Sequence, residues 1–185
     1  MKKLGIILGI VLAIALAGYF FIGPIMKKQT KKKSPETTIY YQENGYDLSL
    51  YYNRPSMRGR KIFGELVPYG EVWRTGANEA TAFNTSKDLE IAGKSLPAGT
   101  YTLWTIPGKE TWQVIFNSKS YDWGVALKGT SIKASREADY DVLNIQVPVK
   151  SLDKPVEQFT MAFEPENGLA LTLTWENTKL EIPIK

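Results

Sequence analysis

The sequence predicts an all-β domain, an antiparallel β-sandwich of jelly-roll type, behind one N-terminal transmembrane helix. Three observations predict it. Apolar residues recur at every second position through much of the chain beyond residue 38. Asn-Gly, Pro-Gly and similar turn pairs separate these runs. The first 33 residues are unlike the rest: an uncharged apolar stretch between lysines, without one acidic residue.

That first segment runs from Leu4 to Met26, 23 residues without a charge. As a helix it would be roughly 34 Å long, enough for a hydrocarbon core of about 30 Å. Tyr19, Phe20 and Phe21 lie near its distal end, where aromatic rings favour the interface, and Gly23-Pro24 marks the exit. Lys2-Lys3, the apolar run and Ala15-Leu16-Ala17 also have the form of a cleavable signal peptide. The run continues past Ala17 through Ile25, however, so cleavage there would leave a greasy terminus. An uncleaved single-pass anchor is the expectation, with secretion after cleavage as the alternative. Lys27, Lys28, Lys31, Lys32 and Lys33 follow the span and two lysines precede it. By the positive-inside rule that excess faces the domain toward the cytoplasm, whereas the short Met-Lys-Lys start has the form of an export signal.

Residues 34–185 form one domain, long enough to bury a core without covalent staples. Leu48, Leu50 and Tyr52 alternate with polar neighbours, as do Leu143, Ile145, Val147 and Val149. Phe159, Met161 and Phe163 make another row, then Leu169, Leu171, Leu173 and Trp175, and finally Leu180, Ile182 and Ile184. Period-two alternation buries one face of a strand and wets the other, as in antiparallel sheets. Asn44-Gly45 and Asn167-Gly168 suit hairpin turns. Thr100–Ile106, bounded by Pro97-Ala98-Gly99 and Pro107-Gly108, reads as the hairpin partner of Trp112–Phe116.

Composition narrows the chemistry. Cysteine and histidine are absent, which excludes disulfides, thiol nucleophiles, histidine-based triads and the usual zinc sites. The net charge of +4 comes from the anchor flanks: without the seven lysines of residues 1–33, sixteen basic residues face nineteen acidic ones. A mildly acidic domain gives no case for nucleic-acid binding. No cofactor motif and no metal-ligand spacing is present. Glu137, Asp139 and Asp141 suit calcium by ligand type alone, and a solvated acidic turn explains them as well.

One stretch breaks the alternation. Residues 54–81, RPSMRGRKIFGELVPYGEVWRTGANEAT, hold four glycines, two prolines and four of the chain's five arginines, Arg54, Arg58, Arg60 and Arg74. Long unpatterned segments in compact domains are uncommon and often functional. Arginine in place of lysine points to fixed, bidentate contacts. Those contacts run either to the interleaved Glu65, Glu71 and Glu79, pinning the loop, or to an anionic or sugar ligand beside Trp73 and Tyr69.

The runs GRKIFGELVPYG and WRTGANEAT resemble the signature of a bacterial family, domain of unknown function 2911. Leu96–Tyr101, Thr105–Gly108, Trp112 with Ile115–Asn117, Trp123-Gly124 and Trp175–Thr178 are similar in order and wording. The resemblance implies a secreted or envelope-facing β domain and no particular activity. It sets the domain outside the cytoplasm, against the lysine count. The continuous anchor and Asn144, where the family pattern leads one to expect a base, are departures.

The function that follows is a membrane-anchored envelope module, held through Leu4–Met26, that binds a small molecule, a glycan or an envelope protein. The expected site is the 54–81 loop. Arg54, Arg74, Asn78 and Glu79 are its polar contacts and Trp73 an apolar wall, with Asn117 and Trp123 approaching from neighbouring loops. The alternatives are a carboxylate-based hydrolase of envelope glycans and a purely structural module. A glycosidase needs two carboxyl groups about 5–10 Å apart, and no spacing singles out a pair among Glu65, Glu71, Glu79, Asp139 and Asp141.

Overall fold

A computed structural model describes residues 23–185 together with residues 6, 7, 9–11, 16, 18 and 20. The expected span Leu4–Met26 lies outside the described residues except for those positions and its last turn. Among the described residues no helix is long and apolar enough to cross a membrane. From residue 23 every residue is described, beginning with helix α1, Gly23–Lys33.

Twelve antiparallel strands follow: β1 Glu36–Tyr41, β2 Leu48–Asn53, β3 Ala82–Thr85, β4 Leu89–Ile91, β5 Lys94–Leu96, β6 Gly99–Ile106, β7 Thr111–Asn117, β8 Val125–Lys128, β9 Ser131–Ala134, β10 Asp141–Pro148, β11 Lys150–Glu164 and β12 Ala170–Pro183. The largest sheet has the order β1-β2-β3-β6-β7-β10. The long β11–β12 hairpin forms the second layer, extended by β4–β5 through the Ile91–Ile184 bridge and paired bonds between Glu90 and Lys185.

The alternation read from the sequence is the alternation of burial. Leu48, Leu50 and Tyr52 of β2, Leu143, Ile145 and Val147 of β10, and Leu171, Leu173 and Trp175 of β12 all face one core. Rings join the layers: Tyr52 meets Phe159 edge-on at 5.7 Å, and Phe83 of β3 lies 6.5 Å from Phe163 of β11. The Tyr52 hydroxyl donates to the Met161 carbonyl at 3.1 Å and accepts from the Met161 N–H at 2.9 Å. This supplies one backbone pair across the core, where an unmet amide costs about 1–3 kcal/mol.

Asn44 and Gly45 both have positive φ, 52° and 75°, as a type I′ turn between β1 and β2 requires. Residues 54–81 contain turns and isolated bridges and no helical turn. Their backbone closes one end of the two layers. Met57 N–H bonds to Glu157 and Phe159 N–H to Pro55, while Trp73 and Thr105 exchange both bonds at 2.7 and 2.9 Å. Ile62, Phe63 and Val67 drop into the core beneath.

Candidate functional site

A groove of about 640 Å³ lies where this loop meets the β8–β9 hairpin. Trp73 and Trp175 are among its lining, with Leu66, Val72, Val125 and Ile132 as further apolar wall and Arg60, Glu71, Arg74 and Lys133 as its charged groups. Ser34, the first residue after α1, also lines it.

Packing fixes the aromatic wall. Trp73 stacks on Trp175 at 5.9 Å and 19°, and meets Phe159 and Phe63 edge-on at 5.2 and 6.2 Å. Its indole N–H donates to the Gly76 carbonyl at 3.0 Å, and that of Trp175 to Glu157 at 3.2 Å. These two rings therefore belong to both core and groove.

Arg74 is half-buried in the groove wall. Its only hydrogen bond among the described residues runs to the Trp123 carbonyl at 3.3 Å, and no carboxylate pairs with it. Burial lowers its pKa, with the more distant Glu79 charge working in the opposite direction. Gly124, at φ 68°, lets the following backbone lie against this side chain, since a Cβ there would stand 3.2 Å from Arg74 Cβ. Thr75, a β-branched residue, has φ 55°. Such strain costs about 1–3 kcal/mol and clusters at functional sites. Here it sets the backbone direction immediately after Arg74. The Thr75 hydroxyl bonds Thr105 at 3.1 Å, and Thr81 bonds the Thr75 carbonyl at 2.7 Å.

Of the seven residues expected at the site, Trp73 and Arg74 line the groove, and Trp123, outside the lining, accepts a bond from Arg74 through its carbonyl. The others do not line it. Arg54 donates to the Phe159 carbonyl at 3.5 Å and the Thr160 hydroxyl at 3.1 Å. Asn117 is buried and donates to the Glu137 carbonyl and the Asp141 carboxylate, both at 2.8 Å, tying β7 to the approach to β10.

Asn78 and Glu79 hold the junction between α1 and the domain. Asn78 donates to the Ser34 carbonyl at 3.2 Å, and Glu79 accepts from Asn53 at 3.2 Å and pairs with Lys31 at 3.2 Å. Lys31 also bonds Glu36, and Arg58 reaches the Lys33 carbonyl at the end of α1. The Lys31 ammonium and then the Tyr51 hydroxyl hold the Glu36 carboxyl below its ordinary value of 4.5. Burial and then the bond to Glu36 push Tyr51 up to about 12. Because the carboxyl pKa is lowered on folding, its stabilising contribution is complete above the ordinary carboxylate range and is lost as pH falls through the lowered value. The raised Lys31 loses its contribution only in strong alkali. Hydrogen exchange at the Ser34 amide, which bonds Thr30 at 3.0 Å, should report this junction. After correction for intrinsic rates, protection is expected to be flat above the ordinary carboxylate range and to fall as pH drops through that range toward the lowered value. Glu36→Gln should remove the pH dependence; an unchanged fall in that variant would exclude this carboxylate as its cause.

Sequence reasoning missed Lys133, Ile132 and Trp175 as groove residues. Trp175 reads as one more member of a core row. The only signal for the other two is that β9 alternates without burying either face.

The family model described as Protein of unknown function (DUF2911) matches residues 34–184. No curated protein and no solved structure matches the chain significantly. The match spans every strand and the whole groove, and the chain belongs to the DUF2911 family.

Proposed function

We propose that the chain is a membrane-anchored envelope protein whose domain, a β-sandwich outside the cytoplasm, binds an anionic small molecule in the groove. The observation that carries this reading is Arg74: a half-buried guanidinium in the groove wall that has, among the described residues, no carboxylate partner and one long bond to a carbonyl. A cation held out of water is costly unless paired, and a planar fork of donors suits a carboxylate or phosphate. The stacked Trp73–Trp175 wall supplies apolar contact beside it. Hydrolysis by two carboxyl groups is less well supported, because Glu71 is the one carboxylate among the groove residues. Glu79 is taken up by Asn53 and Lys31, and Asp141 pairs with Arg136.

The test is thermal shift and calorimetry with phosphate esters, dicarboxylates and neutral oligosaccharides. Anions are expected to stabilise the protein and neutral sugars are not. Arg74→Met keeps the apolar stem and removes an unpaired charge, so stability should change little. Loss of a charged hydrogen bond, about 1.5–3 kcal/mol, should weaken anion binding roughly 10-fold to 150-fold. Stabilisation by neutral sugars alone, unchanged in Arg74→Met, would overturn the anion site.

A further inference from the structure

The β8–β9 hairpin carries the two most exposed large apolar side chains among the described residues, Leu127 at 72% and Ile132 at 73%. They are register partners, so they sit side by side on one face. Among the described residues the hairpin pairs with no other strand, and β9 buries no residue. An isolated two-stranded hairpin is at best marginally stable in water, and an exposed apolar pair needs a surface to cover it.

The position of the hairpin says which surface. Val125, Ile132, Lys133 and Ala134 line the same groove as Ser34, so hairpin and chain entry lie on one side of the domain. Ser34 directly follows α1, and α1 carries the lysine run that follows the apolar segment. Bonds from Lys31, Arg58 and Asn78 fix that junction to the domain. From Met26 to Lys33 is about 10 Å of helix. The four-residue strands of the hairpin are each about 13 Å long, a comparable reach. Basic residues accompany the apolar pair: lysines follow Leu127 and Ile132 in the sequence, and Lys133 has no ion pair among the described residues. An apolar pair flanked by lysines is the composition of an interfacial element on anionic lipid.

We infer that the β8–β9 hairpin is a second membrane contact, with Leu127 and Ile132 seated among the headgroups of an anionic bilayer and Lys133 facing their phosphates. The inference rests on the anchored reading of the N-terminal segment. It makes the groove open beside the membrane surface, where a ligand with an anionic head and an apolar body would be met.

The chain has no cysteine, so a single introduced thiol labels uniquely. Full-length Leu127→Cys and Ile132→Cys, each carrying an environment-sensitive fluorophore, are reconstituted into nanodiscs containing nitroxide lipids. Lys94→Cys, on the β4–β5 hairpin, is the reference. Expected are co-elution with the discs and several-fold stronger quenching at positions 127 and 132 than at 94. That quenching should be strongest with phosphatidylglycerol present and reduced by Lys133→Glu. Co-elution with equal quenching at all three positions would overturn the hairpin contact and leave the anchor standing. Failure to co-elute would remove the anchor and this inference together. A spectral shift at 127 that follows protein concentration in lipid-free detergent, and not lipid, would assign the hairpin to a second copy and refute the bilayer.

Discussion

Trp175→Ala is expected to destabilise the domain by about 3–5 kcal/mol, the range for emptying a large aromatic site in a core that cannot collapse. Trp175 is 1% exposed and stands against Trp73, Phe63 and Phe159 with centroids at 5.9, 6.0 and 5.7 Å. These rings come from the 54–81 loop, β11 and β12, so no single element can move to fill the void. For a domain of this size the melting temperature should fall by roughly 6–20 °C. Trp175→Phe keeps a ring but loses the bond to Glu157 and part of the stack, and should cost less. Urea unfolding decides: a lower midpoint at unchanged slope reports stability, whereas a changed slope reports a different folded or unfolded ensemble. A cost below about 1 kcal/mol for the alanine variant would mean that the ring is not the closure of the core. The alanine variant should also weaken groove binding, because Trp73 loses the partner that fixes its face.

The strands were legible because period-two patterning and burial are the same physical fact in a half-buried sheet. Each long row read from the sequence, from Leu48 to Ile184, has members in the core. Short strands carried too little pattern. Leu89–Ile91 and Lys94–Leu96 have three residues each, joined by a turn in which Ala92 takes φ 48° and Gly93 φ 80°. The β8–β9 hairpin was missed for the opposite reason, since both its faces are open and alternation does not show which one is wet.

The groove was half legible. The sequence marked the loop and the pair, Trp73-Arg74, that line it, because arginine and tryptophan in an unpatterned, glycine-rich segment point to fixed contacts. The identity of those contacts depends on three-dimensional neighbours. Glu65, Glu71 and Glu79 suggested ion pairs with the loop arginines. Instead Arg54, Arg58 and Arg60 each donate to a backbone carbonyl, of Phe159, Lys33 and Met57 respectively. Carbonyls at a register slip, at a helix end or in a loop are acceptors that no residue pattern displays. Asn78 and Glu79 read as ligand contacts for a related reason: the partners they have in the structure, Ser34 and Lys31, lie more than forty residues earlier in the chain. Nothing local distinguishes an asparagine that meets a ligand from one that meets the chain's own entry.

The loop has one more support, and removing it should have the second large effect. Glu176 sits where the β11–β12 register slips, with φ 53°, and its carboxylate accepts the Ile62 and Phe63 amides at 3.1 and 3.3 Å. Phe63 in turn packs edge-on against Trp112 at 4.8 Å, so these two bonds seat the loop on its aromatic base. Glu176→Ala leaves two loop amides without their acceptor and should cost about 2–4 kcal/mol, since bonds to charged groups are worth about 1.5–3 kcal/mol and water will recover part of the loss. Glu176→Gln keeps one carbonyl acceptor and should retain roughly half of the carboxylate's contribution. Glu176→Gly separates the carboxylate from the backbone. It loses the same bonds as alanine but relieves the left-handed conformation, so it should be more stable than the alanine variant by up to about 1 kcal/mol. The order expected from urea midpoints is therefore wild type, glutamine, glycine, alanine. Glutamine as damaging as alanine would show that charge rather than acceptor geometry holds the loop. Alanine as stable as wild type would show that the Ile62 and Phe63 amides find water without cost, and that the packing of Phe63 alone seats the groove.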